Sequence, residues 1–143
     1  MAIGCRIFLR VLGTLLFCVL WFQKPSNGQK DFMGPAAAKE YVDRVVNEHP
    51  VFIFSKSYCP DMPPVKQIFD SYRLSPPYQP AIVNLDFMDN MFAIQNYLEK
   101  TTGGRTVPRV FIKGRCIGGS DAVAIAYKSG RLTYLLREAG ANV

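Results

Sequence analysis

The sequence predicts an α/β fold in which helices cover both faces of a four-stranded mixed sheet. Three observations lead to this prediction. Short apolar runs alternate with segments whose apolar residues have helical spacing. Two of these strands are separated by a helical crossover, which makes them a parallel pair. A two-residue link nearer the carboxyl terminus joins two further short runs, so an antiparallel hairpin completes the sheet.

Prolines set the ends of the predicted elements in the first half of the domain. The first helix begins at Pro35, because proline suits a first helical turn, and Pro50 stops the chain before the first strand. The second helix follows Cys59 and ends at a serine–proline–proline sequence. The elements are, in order, a helix over 36–48, a strand over 51–54, a helix carrying Val65, Ile68 and Phe69, and a buried strand over 81–86.

Capping residues and glycines define the elements of the second half. Asp89 or Asn90 can cap the third helix, and Gly103 ends it. The link Lys113-Gly114 suits a tight hairpin. The elements are, in order, a helix over 90–100, strands over 110–112 and 115–117, and helices over 120–129 and 132–139.

Composition and charge indicate one globular domain without a polyanionic partner. Of the 143 residues, 49% are hydrophobic and 13% aromatic, which is enough to bury a core. The formal net charge is +6, but Arg6, Arg10 and Lys24 lie in the first 28 residues, where there is no acidic residue. The surplus of only three positive charges in the rest of the chain forms no clustered basic stripe, so we expect no nucleic-acid partner.

The four cysteines exclude a disulfide scaffold. Cys5 and Cys18 lie in an amino-terminal apolar segment, which leaves Cys59 and Cys116 for the domain. The chain has no CxxC pair, and its single histidine is His49, before a proline. We therefore expect no metal site and no Cys–His catalytic pair.

Residues 1–28 are predicted to be a signal peptide or signal anchor. Two arginines precede an uninterrupted apolar stretch over 11–22, and polar residues follow, with a cleavage site expected near 26–28. If retained, residues 7–22 would anchor the chain in a membrane. The expected location is the secretory pathway, in the ER or Golgi lumen or outside the cell; a mitochondrial presequence is the alternative. Residues 29–35 form a linker and 36–143 the domain.

Cys59 lies between a predicted strand and a predicted helix. The unpaired amide groups and the positive dipole end of a helix start stabilise a thiolate, and Lys56 adds a nearby cation. Taken alone, the segment is more typical of a free cysteine that serves only as a small apolar residue, and the rest of the chain reverses this interpretation.

Four blocks of sequence resemble the glutaredoxins, which are thioredoxin-fold proteins that use glutathione. The blocks are FSKSYCP around Cys59, an Ile94-Gln95 pair on a helix, TVPRVFI at 106–112 and GRCIGGSDA at 114–122. They occur in the family order and span about 36–138. The resemblance implies a thioredoxin-like fold, glutathione as co-substrate, and glutathionylated or disulfide-containing proteins as partners.

The resemblance also implies a glutathione site around a catalytic Cys59. It implies a cis Val107–Pro108 bond that lets the Val107 backbone pair with an extended cysteinyl peptide. It further implies that Ser120 and Asp121 hold the γ-glutamyl end at a helix start, where free N–H groups attract a carboxylate. The implied glutathione-binding residues are Lys56, Gln95 and Arg105 near the glycyl carboxylate, together with Thr106, Val107, Pro108, Gly119, Ser120 and Asp121.

The active-site motif departs from the dithiol pattern of the family. Where dithiol members carry CPYC, this chain has CPDM, and Met62 cannot resolve a mixed disulfide. A monothiol cycle that requires only Cys59 remains. Cys116, on the hairpin, is either a half-buried strand residue or a second, resolving thiol.

Three of the residues that follow Cys59 in the sequence oppose the activation of its thiol. Asp61 places a negative charge near the thiol, and Pro63 and Pro64 lack amide donors, so we expect the helix to begin only near Pro64. Two functions follow: protein deglutathionylation by a monothiol oxidoreductase, or a catalytically weak glutathione-binding or interaction module. A [2Fe–2S] carrier is less well supported, because Pro60 stands where such members usually have a small residue.

Overall fold

A computed structural model describes residues 34–143 of the chain. The helices are α1 (Pro35–Glu48), α2 (Met62–Ser71), α3 (Met91–Thr102), α4 (Ser120–Lys128) and α5 (Arg131–Ala139), and the strands are β1 (Val51–Ser55), β2 (Ala81–Asn84), β3 (Arg109–Ile112) and β4 (Arg115–Gly118). A 3₁₀ helix, Leu85–Phe87, follows β2. The predicted signal or anchor segment and nearly all of the linker lie outside the described residues. No helix within 34–143 is long and apolar enough to cross a membrane.

The sheet has the strand order β2-β1-β3-β4. β1 pairs with β2 in parallel and with β3 in antiparallel orientation, and β4 pairs antiparallel with β3. The predicted four-stranded mixed sheet is therefore confirmed. All five residues of β1 are buried, because this strand has a neighbour on each side and helices above and below.

Helices cover both faces of the sheet, as predicted. Alternate β1 residues enter different cores: Val51 and Ile53 pack with α2, α4 and α5, whereas Phe52 and Phe54 pack with α1 and α3. The Phe54 and Phe111 rings meet edge to face, with their centroids 5.7 Å apart. These two cores hold the carboxyl end of β1, from which the Cys59 loop emerges.

The structure corrects two predicted boundaries. The strand predicted over 81–86 ends at Asn84, and β2 is not buried but is an edge strand whose residues are half-buried apart from Ile82, which is 45% accessible. Helix α2 begins at Met62 rather than near Pro64. The prolines occupy the second and third positions of α2, where backbone amides have no partner within the helix, so both are tolerated there.

Candidate functional site

Cys59 lies in a tight loop between β1 and α2. Its backbone N–H donates to the Lys56 carbonyl at 3.0 Å, and its own carbonyl accepts from the Met62 N–H at 3.3 Å. The side chain is half-buried, and the thiol donates to the carbonyl of Val107 across 3.5 Å. The loop therefore presents one partly accessible thiol against the segment that precedes β3.

The Val107–Pro108 peptide bond is cis, as the resemblance implied. The antiparallel register pairs Phe54 with Arg109, so the residues before Arg109 lie opposite the loop that follows β1. Pro108 is buried, whereas Val107 is half-buried. This pairing accounts for the position of Val107 beside Cys59, 48 residues away in sequence.

A cleft of about 510 Å³ unites two of the predicted blocks. One wall comes from the segment before and at the start of β3, and the other from the turn between β4 and α4. The cleft is lined by Asp61, Thr106, Val107, Pro108, Arg109, Gly118, Gly119, Ser120, Asp121 and Ala122. The predicted residues of these two blocks are thus brought together at one site.

Two glycines lie in the turn that forms the second wall of the cleft. Gly118 has φ +123°, and a Cβ there would lie 2.7 Å from the Ala122 Cβ. A Cβ on Gly119 would lie 3.4 Å from the Pro108 carbonyl. Gly119 is also the N-cap of α4, so Ser120 is the first helical residue and its amide belongs to the unpaired helix start. The amino terminus of α4 therefore faces the cleft with its backbone.

Lys56, Gln95 and Arg105 are not among the residues that line the cleft. Gln95 is buried, and its Nε2 donates to the Arg105 carbonyl at 2.9 Å, so it fixes the backbone just before Thr106. Arg105 is exposed, with Nη1 3.9 Å from Glu99 Oε2. The half-buried Lys56 has its Nζ 6.0 Å from the Tyr58 ring centroid.

Asp86 is a site residue that the sequence interpretation assigned only to a strand. It accepts hydrogen bonds from the Ser57 N–H at 2.9 Å and the Ser57 hydroxyl at 2.6 Å. The Ser57 hydroxyl is the main cause that lowers the pKa of Asp86, and the charge of Lys56 contributes less. The carboxyl ends of the parallel neighbours β1 and β2 lie at the same edge of the sheet. An aspartate just after β2 was therefore the signal in the sequence for a contact with the loop after β1.

Arg109 is a second residue that the sequence analysis did not assign. It is 8% exposed, and Nη2 donates to the Thr106 hydroxyl at 3.2 Å. Its buried Nε has no hydrogen-bond partner within residues 34–143. A side chain at Gly104 would overlap the guanidinium, so the 104–108 loop packs directly on this cation. An arginine at the start of an otherwise apolar strand was the signal for it.

The start of α2 offers few donors to a thiolate. The Met62 N–H already bonds the Cys59 carbonyl, and Pro63 and Pro64 have no N–H. Asp61 is exposed at the N-cap position and makes no side-chain capping bond. The helix dipole is therefore the main contribution of α2 to a negative sulfur, without direct amide bonds from its first three residues.

Cys116 does not lie beside Cys59. It is half-buried, packs against the core shared by α1 and α3, and pairs with Phe111 across the β3–β4 ladder. Phe111 is four residues along the chain from Val107, a distance of about 13 Å in extended backbone. A disulfide requires Cα atoms within about 7 Å, so this arrangement separates the two free thiols.

Comparisons with known proteins agree with this arrangement. The glutaredoxin family model matches residues 51–117. Glutaredoxin-C8 of Oryza sativa subsp. japonica is 42% identical over 103 residues, which cover 72% of this chain and 74% of the relative, and Glutaredoxin-C4 of Arabidopsis thaliana is 40% identical over 101 residues, with 71% and 72% covered. The crystal structure of a buckwheat glutaredoxin–glutathione complex superposes with a TM-score of 0.70 at 37% identity, covering 76% of this chain and 96% of that one. With its mixed sheet, cis-proline segment and matching relatives, the chain belongs to the glutaredoxin family.

Proposed function

We propose that the chain is a glutathione-dependent thiol–disulfide oxidoreductase that deglutathionylates proteins by a monothiol mechanism. The observation that carries this proposal is the half-buried Cys59 thiol, 3.5 Å from the carbonyl of Val107, a residue that lines the cleft. The buckwheat relative, whose structure is a glutathione complex, supports glutathione as the ligand of this cleft.

In the first step, the Cys59 thiolate attacks the glutathione sulfur of a glutathionylated protein. The protein–glutathione disulfide breaks, a Cys59–glutathione disulfide forms, and the protein leaves as a thiolate that takes a proton from water. In the second step, the thiolate of a free glutathione attacks the glutathione sulfur on Cys59. Oxidised glutathione is released and the Cys59 thiolate is regenerated, so two glutathione moieties leave as one disulfide.

The residues around the cleft bind and orient glutathione in this proposal. The Val107 backbone pairs with the cysteinyl residue, while the amino terminus of α4 holds the γ-glutamyl carboxylate and Asp121 its amine. Lys56 and Arg105 supply positive charge near the glycyl carboxylate, and Gln95 holds the loop that carries Thr106. Met62 contributes no thiol, and the distance along β3 keeps Cys116 from resolving the intermediate.

Turnover of a glutathionylated peptide, coupled to glutathione reductase and NADPH oxidation, tests this function. Cys59→Ser is expected to abolish turnover, whereas Cys116→Ser should retain at least half of the wild-type rate. Turnover that persists in Cys59→Ser would refute the assignment of the nucleophile. Loss of turnover in a folded Cys116→Ser variant would refute the monothiol cycle.

A glutathione-binding module with weak catalysis is the second candidate function. The observation that favours it is the shortage of amide donors at the start of α2, next to the exposed Asp61. Isothermal titration of glutathione into the chain separates the two functions when combined with the turnover assay. Binding without measurable turnover would support the module, and turnover dependent on Cys59 would support the enzyme.

We also propose that residues 1–28 direct the chain to the secretory pathway, with residues 7–22 as a membrane anchor if the segment is retained. This proposal rests on the basic start and apolar stretch of that segment. A carboxyl-terminal fluorescent fusion should coincide with ER or Golgi markers. A mitochondrial pattern would contradict the proposal, and amino-terminal sequencing of the mature chain would show whether the segment is removed.

A further inference from the structure

Two strongly exposed aromatic side chains flank the loop that carries Cys59. Tyr58 is 69% exposed and Phe87 is 77% exposed, the highest value among the large apolar side chains in the described part of the chain. The residues next to them, Ser57 and Asp86, are joined by two hydrogen bonds of 2.9 and 2.6 Å. This contact fixes the 3₁₀ helix against the Cys59 loop, so the two aromatic residues border the same part of the surface.

The strand order separates this aromatic surface from the cleft. Cys59 follows the central strand β1, and Phe87 follows β2, on one side of it. The cleft is built at the ends of β3 and β4, which lie on the other side of β1. A glutathione moiety bound in the cleft would therefore leave Phe87 uncovered, and Tyr58, next to Cys59 in the loop after the central strand, would lie between the two.

Two charged side chains, Asp86 and Lys56, lie next to this aromatic pair. The Asp86 carboxylate is already engaged by Ser57, and Lys56 Nζ lies 6.0 Å from the Tyr58 ring centroid. An apolar side chain of a partner can be buried there, whereas a basic residue would meet the charge of Lys56.

We propose that Tyr58 and Phe87 form a docking surface for the protein half of the mixed disulfide. This inference rests on the proposed function, in which the glutathione half occupies the cleft and the protein half must extend from the same disulfide. The surface selects glutathionylated cysteines that have an aliphatic or aromatic residue within one or two positions in the substrate. The docked substrate is therefore a protein segment that is apolar around its modified cysteine.

The test compares three substrates with the full chain and two matched variants. The substrates are a glutathionylated peptide with leucine on each side of its cysteine, the same peptide with serine in both places, and the mixed disulfide of glutathione with 2-mercaptoethanol. The variants are Phe87→Ser and the control Phe92→Ser; Phe92 is 66% exposed on α3 and lines a different groove, beside Pro35 and Tyr97.

Phe87→Ser is expected to lower kcat/KM for the leucine peptide about five- to tenfold, the usual loss for an aromatic anchor of an interface. For the serine peptide and the small mixed disulfide, the change should stay below about twofold, since neither presents an apolar residue to the surface. Phe92→Ser should match the wild type with all three. Unchanged melting temperatures of both variants establish that they fold.

Equal losses with all three substrates, no loss with the leucine peptide, or an equal effect of Phe92→Ser would each overturn the docking surface. If the wild-type chain turns over none of the substrates, the proposed function fails instead. Fluorescence anisotropy of the labelled leucine peptide then decides the inference. Binding to the wild type at least fivefold tighter than to Phe87→Ser supports the surface, and equal binding refutes it.

Discussion

The immediate surroundings of Cys59 combine features that activate the thiol with features that oppose its activation. The thiol lies at the start of α2, but the first three residues of that helix present no free amide to it. Lys56 contributes a cation nearby, while Asp61 is an exposed carboxylate on the cleft. Reactivity of the thiol therefore depends on a balance of weak contributions, each of which a substitution can change.

Restoring the missing amides should make Cys59 more reactive. In a Cys116→Ser background, the double change Pro63→Ala and Pro64→Ala adds two N–H groups at the helix start. Contributions of about 0.3–1 kcal/mol from a helix terminus correspond to about a two- to fivefold faster alkylation by iodoacetamide at pH 7. An unchanged or slower rate in the folded variant would show that the prolines do not limit the nucleophile.

Asp86 is expected to make the Cys59 loop sensitive to acid. Its pKa lies below the usual value of 3.8, mainly because the Ser57 hydroxyl bonds the carboxylate. The ionised Asp86 carboxylate therefore contributes fully to the free energy of unfolding above about pH 4, and this contribution is lost as the pH falls through the lowered pKa. The difference in free energy of unfolding between the wild type and Asp86→Ala, followed from pH 7 to 2, should shrink only below pH 4. A difference that is constant over this range would contradict the assigned bonds.

Arg109 should matter more for glutathione than for stability. A buried cation without a carboxylate partner in the described residues gains little from burial, so Arg109→Met should unfold with equal or higher free energy. Loss of the bond to Thr106 frees the 104–108 loop, and KM for glutathione should rise about three- to tenfold. Denaturant unfolding and steady-state kinetics measure the two effects. A large loss of stability with an unchanged KM would assign Arg109 a structural role alone.

The sequence predicted best those elements whose spacing of apolar residues reflects burial of one or both faces of a helix or strand. β1 is a continuous apolar run because both of its faces are covered, and the Lys113-Gly114 link produces the β3–β4 hairpin. The 3₁₀ helix after β2 was missed because its leucine, aspartate and phenylalanine continue a strand-like pattern. The start of α2 was placed two residues late, because a first helical turn tolerates consecutive prolines.

The turn between β4 and α4 is an element that a single methyl group should disrupt. Gly118→Ala places an alanine at a φ of +123°, which is unfavourable for any residue with a Cβ, and brings the new methyl group into a clash with Ala122. We therefore expect a loss of about 2–4 kcal/mol in the free energy of unfolding. Gly103→Ala is the matched control, because φ is +76° there and nothing lies within 4 Å of the added Cβ. It should cost only about 1–2 kcal/mol. Equal losses in chemical denaturation would show that the Ala122 contact is not limiting.

The whole molecule brings together blocks that lie far apart in sequence by placing β1 at the centre of the sheet. Cys59, the cis-proline segment and the start of α4 meet because β3 and β4 follow β1 across the sheet. The resemblance of these blocks to the glutaredoxins implied this meeting. The partners of Asp86, Arg109 and Gln95 were not predictable, because each partner lies in an irregular segment whose backbone path has no periodic pattern.

The separation of the cleft from the aromatic surface is likewise a property of the complete sheet. In the proposed function, it divides the neighbourhood of Cys59 into a side for glutathione and a side for the protein substrate. In such an arrangement, the glutathione sulfur rather than the protein sulfur should become attached to Cys59. The identity of the group left on Cys59 after the first step of the cycle therefore distinguishes deglutathionylation from other disulfide exchange.

Intact-mass spectrometry of the Cys116→Ser chain, mixed with an equimolar glutathionylated peptide in the absence of free glutathione, measures that group. We expect one glutathione on Cys59 and release of the peptide as a free thiol, with no adduct on a Cys59→Ser, Cys116→Ser control. Attachment of the peptide instead of glutathione, or the absence of any adduct on a folded chain, would contradict the monothiol deglutathionylation proposed for Cys59.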